Sequence, residues 1–485
     1  MLRVNVSFPS GSGETLLLPE HSKVGDLKLL AQQTFGQGFL KLVSADGRVL
    51  TNLTNSLQAA GVQDGEHLTA VAQEVQVAAS RRAFVLWCFG ADRAVSWSDP
   101  DHGGDCSTVQ DQLKNVQAMQ ATDGAFAAIL ADGSVVSWGD PNLGGDCSAV
   151  QEQLKNVRQI QNTCGAFAAI LADGSVVTWG NPGFGGDCSA VQNQLKNIQQ
   201  VQATGYAFAA ILADGSVVSW GERGNGGDCS AIQDKLMNVQ KIQATGQAFA
   251  VIVTNGSVFA WGDRDWGGDC SAVQDQLKNV QAIQAADRAF AAILSDGSVV
   301  TWGDPYCGGD CSAVQIQLRN VKQIQATCGA FAAILADGSV VAWGDPPRGG
   351  NCLAVQGQLR NMQQVQRTNV AFAAISADGC VVAWGNPRFG GDCSAVQQRL
   401  QNVQQIQATH YAFAAILDNG SVVAWGHPDW GGDCSAVQGQ LRNVCQVHAT
   451  HEAFVAVLAD GSVVTWGLPE RGGDCSAVQN QFQKL

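Results

Sequence analysis

A single motif that recurs every 41 residues constrains this chain more than any other feature. The string Gly-Gly-Asp-Cys, or a near copy, ends at ten cysteines: Cys106, Cys147, Cys188, Cys229, Cys270, Cys311, Cys352, Cys393, Cys434 and Cys475. A tryptophan keeps the same step from Trp97 to Trp466, and a phenylalanine keeps it from Phe126 to Phe454. Ten copies in one register predict a repeat architecture in which each unit buries its apolar faces against its neighbours.

One unit contains signals for three strands and a short helix. Residues 116–121 alternate in polarity, as expected for strand A, and 125–130 form the apolar run of a doubly buried strand B. An Asp-Gly turn at 132–133 then leads into strand C at 134–138, which is β-branched and aromatic. Residues 148–151 fit a capping box, with serine at the N-cap and glutamine three residues later, and predict about two helical turns.

The Asp-Gly hairpin makes neighbouring strands antiparallel, which disfavours a helical ladder of parallel strands. Meandering antiparallel strands at this period are typical of propeller blades. We therefore predict a mainly β chain in which residues 74–485 form a ten-repeat β-propeller-like toroid, with three strands plus a short helix per unit.

The pattern Asp-Gly-Ser-Val-Val-x-Trp-Gly, followed by a Gly-rich loop, resembles the repeat of the regulator of chromosome condensation family. The copies at 132–139 and 173–180 show it clearly. The resemblance implies a β-propeller, which in that family usually has seven blades. Here the units are shorter and there are ten of them. The sequence therefore allows either an open spiral or a closed ring with unusually many blades.

Residues 1–71 lie outside the repeat and read as two strands, a helix at 24–33, and further short strands. This order, with turns at 46–47 and 61–65, resembles the ubiquitin-like β-grasp fold. The resemblance places Val43 and Val71 at two positions of the apolar patch through which ubiquitin binds partners. Val71 continues into Ala72 rather than into a Gly-Gly terminus, so we expect a built-in module that is not conjugated.

Charge and composition exclude several classes of function. The chain has 485 residues and a net charge of −14, with 46% hydrophobic residues. An acidic protein repels phosphate, which argues against nucleic acid and anionic membranes as partners. It has no apolar run long enough for a membrane helix and no signal-peptide pattern at its start, so we predict a cytoplasmic or nuclear location.

The cysteines and glycines indicate packing rather than chemistry. Equivalent points on neighbouring blades lie farther apart than the roughly 7 Å that a disulfide allows, and no Cys-x-x-Cys spacing indicates zinc. Because the Gly-Gly-Asp motif lacks the lysine of a phosphate loop, its aspartate is expected to cap the following helix. We therefore expect the repeated cysteines to be buried, and predict no catalytic residue, cofactor or metal; Cys164 and Cys328, in a variable turn, are expected to be more reactive.

The units differ mainly in the turn between strands A and B and in the loop after strand C. In a three-stranded meander these two segments lie at the same end, so the variation gathers on one face. That face is rich in Tyr, Trp and Arg, the residue types that dominate protein interfaces. The candidate partner-binding residues are Phe184, Tyr206, Arg264, Trp266, Tyr306, Arg348, Arg388, Phe389, His410, Tyr411, His427 and Trp430.

These features predict a non-enzymatic protein-interaction scaffold or adaptor. Its variable face would bind a protein partner, and residues 1–71 would dock on a ubiquitin-pathway or proteasomal receptor. Two alternatives stay open. The family resemblance allows a guanine-nucleotide exchange factor for a small GTPase. The combination of domains also fits a fragment of a larger ubiquitin-ligase-like protein without its catalytic domain.

Overall fold

The computed structural model describes residues 1–35, 38–50, 52–89, 91 and 93–482. The chain is mainly β, with one four-stranded sheet near the start and ten three-stranded sheets after it in the described residues. None of the helices in these ranges is long and apolar enough to cross a membrane.

The N-terminal domain pairs a mixed sheet with one helix. Its elements are β1 (Leu2–Ser7), β2 (Gly13–Leu18), α1 (Val24–Phe35), β3 (Leu40–Ser44) and β4 (Glu66–Ala72). The sheet order is β2-β1-β4-β3, and only the central β1–β4 pair is parallel. Apolar side chains alternate along the strands and pack against α1, which buries Leu27 and Ala31 completely. The predicted strand at 49–50 is reduced to a single bridge between Val43 and Val49.

Each of the ten repeats folds into an antiparallel sheet of strands A, B and C, with B in the centre. Strand A spans Val75–Ala79, Val116–Ala121, Val157–Asn162, Ile198–Ala203, Val239–Ala244, Val280–Ala285, Val321–Ala326, Met362–Arg367, Val403–Ala408 and Val444–Ala449 in units 1 to 10. Strand B spans Ala83–Cys88, Ala125–Leu130, Ala166–Leu171, Ala207–Leu212, Ala248–Val253, Ala289–Leu294, Ala330–Leu335, Ala371–Ser376, Ala412–Leu417 and Ala453–Leu458. Strand C spans Ala94–Ser98, Val135–Gly139, Val176–Gly180, Val217–Gly221, Val258–Gly262, Val299–Gly303, Val340–Gly344, Val381–Gly385, Val422–Gly426 and Val463–Gly467.

The hydrophobic cores lie between units rather than within them. Strand B is buried on both faces: in unit 3, Ala168 packs towards unit 4, whereas Phe167 packs towards unit 2. The phenylalanine of each strand B stacks on the tryptophan of its strand C, with ring centroids 5.1–5.4 Å apart. The prediction that a unit must stack on its neighbours is therefore confirmed by the packing.

The segment after Gly-Gly-Asp-Cys is shorter than predicted. It forms a single 3₁₀ turn, Ser148–Val150 in unit 2, and the capping box is wrong. The Gln151 amide does not return to the backbone of the turn; it donates to the carbonyl of Val135 and accepts from the Cys147 thiol. The predicted role of the aspartate is right, because Asp146 accepts from the backbone N–H of Ser148 at 2.8 Å. Since one side-chain acceptor already caps the turn, the glutamine is free to tie it to strand C.

The tryptophan of each unit also bonds to the unit before it. Its indole N–H donates to a glycine carbonyl, as in Trp138 to Gly103 at 3.0 Å, at every junction from the second unit onward. In unit 1 the acceptor is Gly472, at the far end of the chain, at 3.1 Å. Phe482 packs on Trp97 there, in the same core as Phe84. Gly472 and Phe482 thus supply to unit 1 the contacts that the preceding unit supplies elsewhere.

The N-terminal domain lies across this junction between units 10 and 1. At the regular junctions, the glycine of an Asp-Gly turn contacts the asparagine that precedes the next strand A. At unit 10 the glycine is Gly461, and its backbone faces Gly38 instead. Phe39 is buried in the core shared by the two units, and Gln73 donates to the carbonyl of Phe89 at 3.0 Å. The domain is therefore attached to the repeats by contacts and not only by chain connection.

Candidate protein-interaction surface

The two variable segments of each unit meet at one end of its sheet, as predicted. One is the A–B turn, such as 204–206, and the other is the loop after strand C, such as 222–225. The Thr204 hydroxyl links them by donating to the carbonyl of Asn225 at 3.1 Å while accepting from the N–H of Ala207. A threonine or serine makes the same link in nine units, and unit 6 has Ala286 in its place. We call this end, formed by all A–B turns and the loops after strand C, the variable rim.

Neighbouring A–B turns are joined through the backbone. The N–H of the middle residue of each turn donates to the carbonyl of the corresponding residue in the next unit, as from Gly205 to Gly246 at 2.9 Å. Nine such bonds of 2.9–3.3 Å run without interruption from Arg81 to His451. They place the turns of consecutive units side by side. The turn that holds Tyr206 and the loop that holds Trp266 consequently lie on the same rim.

The middle residues of seven of the ten turns line a cavity of about 600 Å³. Its lining includes Arg81, Asp123, Cys164, Arg367, Asn369, His410 and His451, together with several hydroxyl-bearing residues of the turns. The imidazoles of His410 and His451 stack with ring centroids 3.6 Å apart. Burial, aided by Arg367 and Arg81, lowers the pKa of His410 to about 4, and burial and the neighbouring His410 lower the pKa of His451 to about 3. Both rings are therefore neutral at neutral pH.

The predicted aromatic residues fall into separate groups along the rim. Phe184 stacks on Tyr206 at 5.1 Å, and Trp266 lies beneath the Arg288 guanidinium at 5.0 Å. The largest group spans units 8 and 9. There Tyr411 contacts Phe389 and Trp430, each at 4.5 Å between ring centroids. Two histidines extend this group: His427 stacks on Phe389 at 5.7 Å, and His410 contacts the edge of the Tyr411 ring at 6.3 Å.

Most arginines on the rim are held by acids of their own unit. Arg264 pairs with Asp269 at 3.0 Å, and Arg348 pairs with Asp345 at 3.2 Å. Arg388 is exposed and makes no ion pair with any described residue. Tyr306 is also highly exposed, at 85%. All twelve candidates thus lie on one rim, but they differ in exposure and in whether an acid already holds them, so they are not equally available to a partner.

Several residues that border the cavity, among them Arg367 and His451, were not among the predicted site residues. Arg367 ends strand A of unit 8, at a position where eight of the other units have alanine, and His451 is the partner of His410 in the imidazole stack. Arg367 breaks the Gln-Ala ending of strand A, and that departure from the repeat was a signal available in the sequence. Its proximity to His410, by contrast, depends on how successive units are arranged in space.

In the N-terminal domain, Val43 and Val71 lie on the same outward face of the sheet. Val43 is paired with Thr69 across β3 and β4, and Val71 with Lys41. Val71 is 40% exposed, and Val49, which bridges to Val43, is 39% exposed. This small apolar area faces away from α1, so it is accessible to a partner.

The ten repeated cysteines are buried, as predicted, with 4–6% of each residue exposed. Burial raises the pKa of these thiols, which keeps them protonated and unreactive. Cys164 and Cys328, predicted to be more reactive, have pKa values raised by burial to about 11. The environment of these two thiols therefore argues against that prediction.

No model of a protein family matches the sequence, and no curated protein matches it. Among solved structures, yeast RCC1 (Prp20) bound to Kap60 is 16% identical, covering 64% of this chain and 79% of that chain with a TM-score of 0.34. Prp20p from Saccharomyces cerevisiae is 15% identical over 73% of this chain and 82% of its own, with a TM-score of 0.33. The computationally designed Ika8 protein is 15% identical over 64% and 96%, with a TM-score of 0.31. These TM-scores are below 0.5, so the likenesses carry no conclusion about function.

Proposed function

We propose that this chain is a non-enzymatic protein-interaction scaffold whose ten units close into one ring and whose variable rim binds a protein partner. The observation that carries the proposal is the uninterrupted row of hydrogen bonds between the A–B turns. Because backbone atoms make these bonds in every unit, the side chains of the turns are free to differ from unit to unit. Closure is supported by the bond from Trp97 to Gly472 and by the core that Phe84 shares with Phe482.

The composition of the rim supports a protein as the partner. Tyr, Trp and Arg anchor interfaces because they combine a large apolar area with polar groups. Tyr411 and Trp430 make such an anchor, and their rings are already held by their neighbours, which reduces the entropy lost on binding.

The N-terminal domain is proposed to be a ubiquitin-like module that docks on a ubiquitin-pathway or proteasomal receptor. The mixed sheet with a central parallel pair, covered by one helix, supports this assignment. Val43 and Val71 would form the contact surface. Val71 is 40% exposed and Val49 39%, so this part of the outward face is accessible to a receptor.

The test uses the full chain as bait, compared with two sets of variants. Tyr306→Ser with Arg388→Ser changes exposed residues of the rim, and Val43→Lys with Val71→Lys changes the sheet face. We expect the first set to lose rim partners while keeping ubiquitin receptors, and the second set to do the opposite. Partners that survive both sets, with unchanged affinity, would contradict the proposal.

A nucleotide-release assay separates the scaffold from an exchange factor. The full chain is added to a panel of small GTPases loaded with fluorescent nucleotide. A scaffold leaves the release rate unchanged. Release accelerated by the chain and slowed again by the rim variants would replace the proposed role with exchange activity.

A further inference from the structure

The same aromatic pair occurs twice on the variable rim. Phe184 with Tyr206 and Phe389 with Tyr411 occupy equivalent positions 205 residues, or five units, apart. Both pairs are in contact, at 5.1 Å and 4.5 Å between ring centroids. Because the backbone and the residue types match, any difference in binding between the two pairs must come from their surroundings.

The surroundings of the two pairs differ in aromatic content. Phe184 and Tyr206 are preceded by glycines, and the following loop supplies Asn225. Phe389 contacts His427, and Tyr411 contacts Trp430. On its other side, Tyr411 contacts His410, which stacks on His451 at the cavity. The second pair is therefore part of a continuous aromatic strip that runs from the outer loops of units 8 and 9 to the cavity.

The two pairs also differ in charge. Arg388 stands beside Phe389 in sequence, and Arg367 and Arg81 lie close enough to His410 to lower its pKa. All three arginines are exposed, and none makes an ion pair with any described residue. Arg82, Arg288, Arg348 and Arg471 on the same rim all pair with acids. Asp123 and Asp287 lie near enough to Arg81 and Arg367 to interact electrostatically, but they form no ion pair with them. Three arginines without an ion pair at one strip therefore keep their donors available and favour an acidic ligand there.

We propose that the strip formed by Phe389, Tyr411 and Trp430, with Arg367, Arg388 and Arg81 at its two ends, binds an acidic peptide segment that carries an aromatic residue. The aromatic side chain of the ligand packs on the ring cluster, and carboxylates on either side of it meet the arginines. The proposal rests on the proposed function, because it names the partner chemistry for one part of the rim. The strip with the equivalent pair on units 3 and 4 has no such unpaired arginines and is not expected to bind this ligand.

The experiment measures fluorescence anisotropy of a labelled synthetic peptide, with one tryptophan between two pairs of glutamates, against the full-length protein. Phe389→Ala with Tyr411→Ala should weaken binding at least about tenfold, since interface anchors typically contribute more than 1.4 kcal/mol. Phe184→Ala with Tyr206→Ala is the matched control and should leave the affinity unchanged. Arg367→Gln with Arg388→Gln should also weaken binding and reduce its dependence on salt. Thermal unfolding of each variant shows that it is folded.

Three further probes make the proposal refutable. A peptide with lysine in place of glutamate, and one with alanine in place of tryptophan, should both bind more weakly. A single-stranded RNA tests the other ligand that arginines and aromatics accommodate. Binding of the lysine peptide with equal affinity, equal losses in the two Phe–Tyr variants, or tighter binding of RNA would each overturn the proposal. If the acidic peptide fails but rim variants still lose captured partners, this inference falls and the scaffold function stands.

Discussion

The two ends of each repeat sheet hold the units together in different ways. At the Asp-Gly end, the turn glycine contacts the next unit directly: a Cβ on Gly297 would lie 2.7 Å from the Cα of Asn320. At the variable rim, the backbones of neighbouring turns are joined by a hydrogen bond from one turn's N–H to the next turn's carbonyl. Where backbone atoms pack without a gap, no side chain fits, whereas a backbone hydrogen bond places no demand on the side chain.

This difference explains why one end is constant in sequence and the other varies. The middle residue of the A–B turn is Arg, Asp, Cys, Gly, Asn or His in different units, yet the nine bonds persist. The Asp-Gly turn keeps its glycine, which has a φ of +73 to +81° in the regular units. The fold therefore tolerates different side chains on the rim, and this tolerance allows a recognition surface to form there.

The largest expected effect is on the constant end. Gly297→Ala introduces a Cβ at a φ of +77° and against the backbone of Asn320, and we expect it to lower the free energy of unfolding by about 3 kcal/mol. Gly205→Ala is the matched control on the rim, where the added Cβ would lie 3.4 Å from its nearest neighbours, and should change stability by less than about 0.5 kcal/mol. Denaturant unfolding measures both. If both variants lost a similar amount of unfolding free energy, the two ends of the sheet would not differ in their tolerance of side chains.

A second prediction concerns the turn position that is threonine in eight of the ten units. Thr204→Val keeps the shape but removes a hydroxyl that donates to Asn225 and accepts from Ala207, so we expect a loss of about 2 kcal/mol. The converse change, Ala286→Thr, supplies the missing link in unit 6 and should add about 1 kcal/mol. Chemical denaturation measures the free energy of unfolding of each variant relative to the unmodified protein. A neutral Thr204→Val would show that the hydroxyl does not join the turn to its loop.

Much of this fold was predictable because it depends on local pattern. The alternation of strand A, the apolar run of strand B and the Asp-Gly turn each specify their own segment. The gathering of the variable segments at one end followed from the antiparallel order alone. The limits of the 3₁₀ turn were not predictable, because Gln151 bonds to a strand that lies 16 residues earlier in the sequence.

The candidate site was less predictable, because its behaviour depends on partners in space. Arg348 and Arg388 are equally good candidates by residue type, but only Arg348 is held by an acid. The contact between Gly38 and Gly461 joins residues more than 400 positions apart, and no local pattern indicates it. Residue types therefore identified the rim, whereas pairing and burial determine which of its residues are available.

The rim histidines test whether variable residues are energetically neutral. Their pKa values in the folded protein, about 4 and about 3, lie below the unfolded value near 6.5, so the unfolded state binds more protons at mildly acidic pH. The free energy of unfolding therefore decreases as the pH falls from 6.5 towards 4, because protons bind preferentially to the unfolded state. His410→Asn with His451→Asn, which copies Asn369 of unit 8, should reduce the fall in unfolding free energy between pH 7 and pH 5 by on the order of 1 kcal/mol. An unchanged fall would mean that the rings are solvated.

The smallest effect is expected at Tyr306, a highly exposed residue of the predicted set. Its side chain is 85% exposed, and its only bond in the loop is from its backbone N–H to Asp304, so Tyr306→Ser should change the free energy of unfolding by less than about 0.5 kcal/mol. Trp266→Ala provides the contrast within the same set, since Trp266 is half-buried between Gly246 and Arg288 and should cost about 1–2 kcal/mol. Thermal unfolding of the two variants measures the difference. If both are neutral, the whole rim is free to recognise partners; if only Tyr306→Ser is neutral, some rim aromatics stabilise the junctions between units and only the exposed remainder is available for binding.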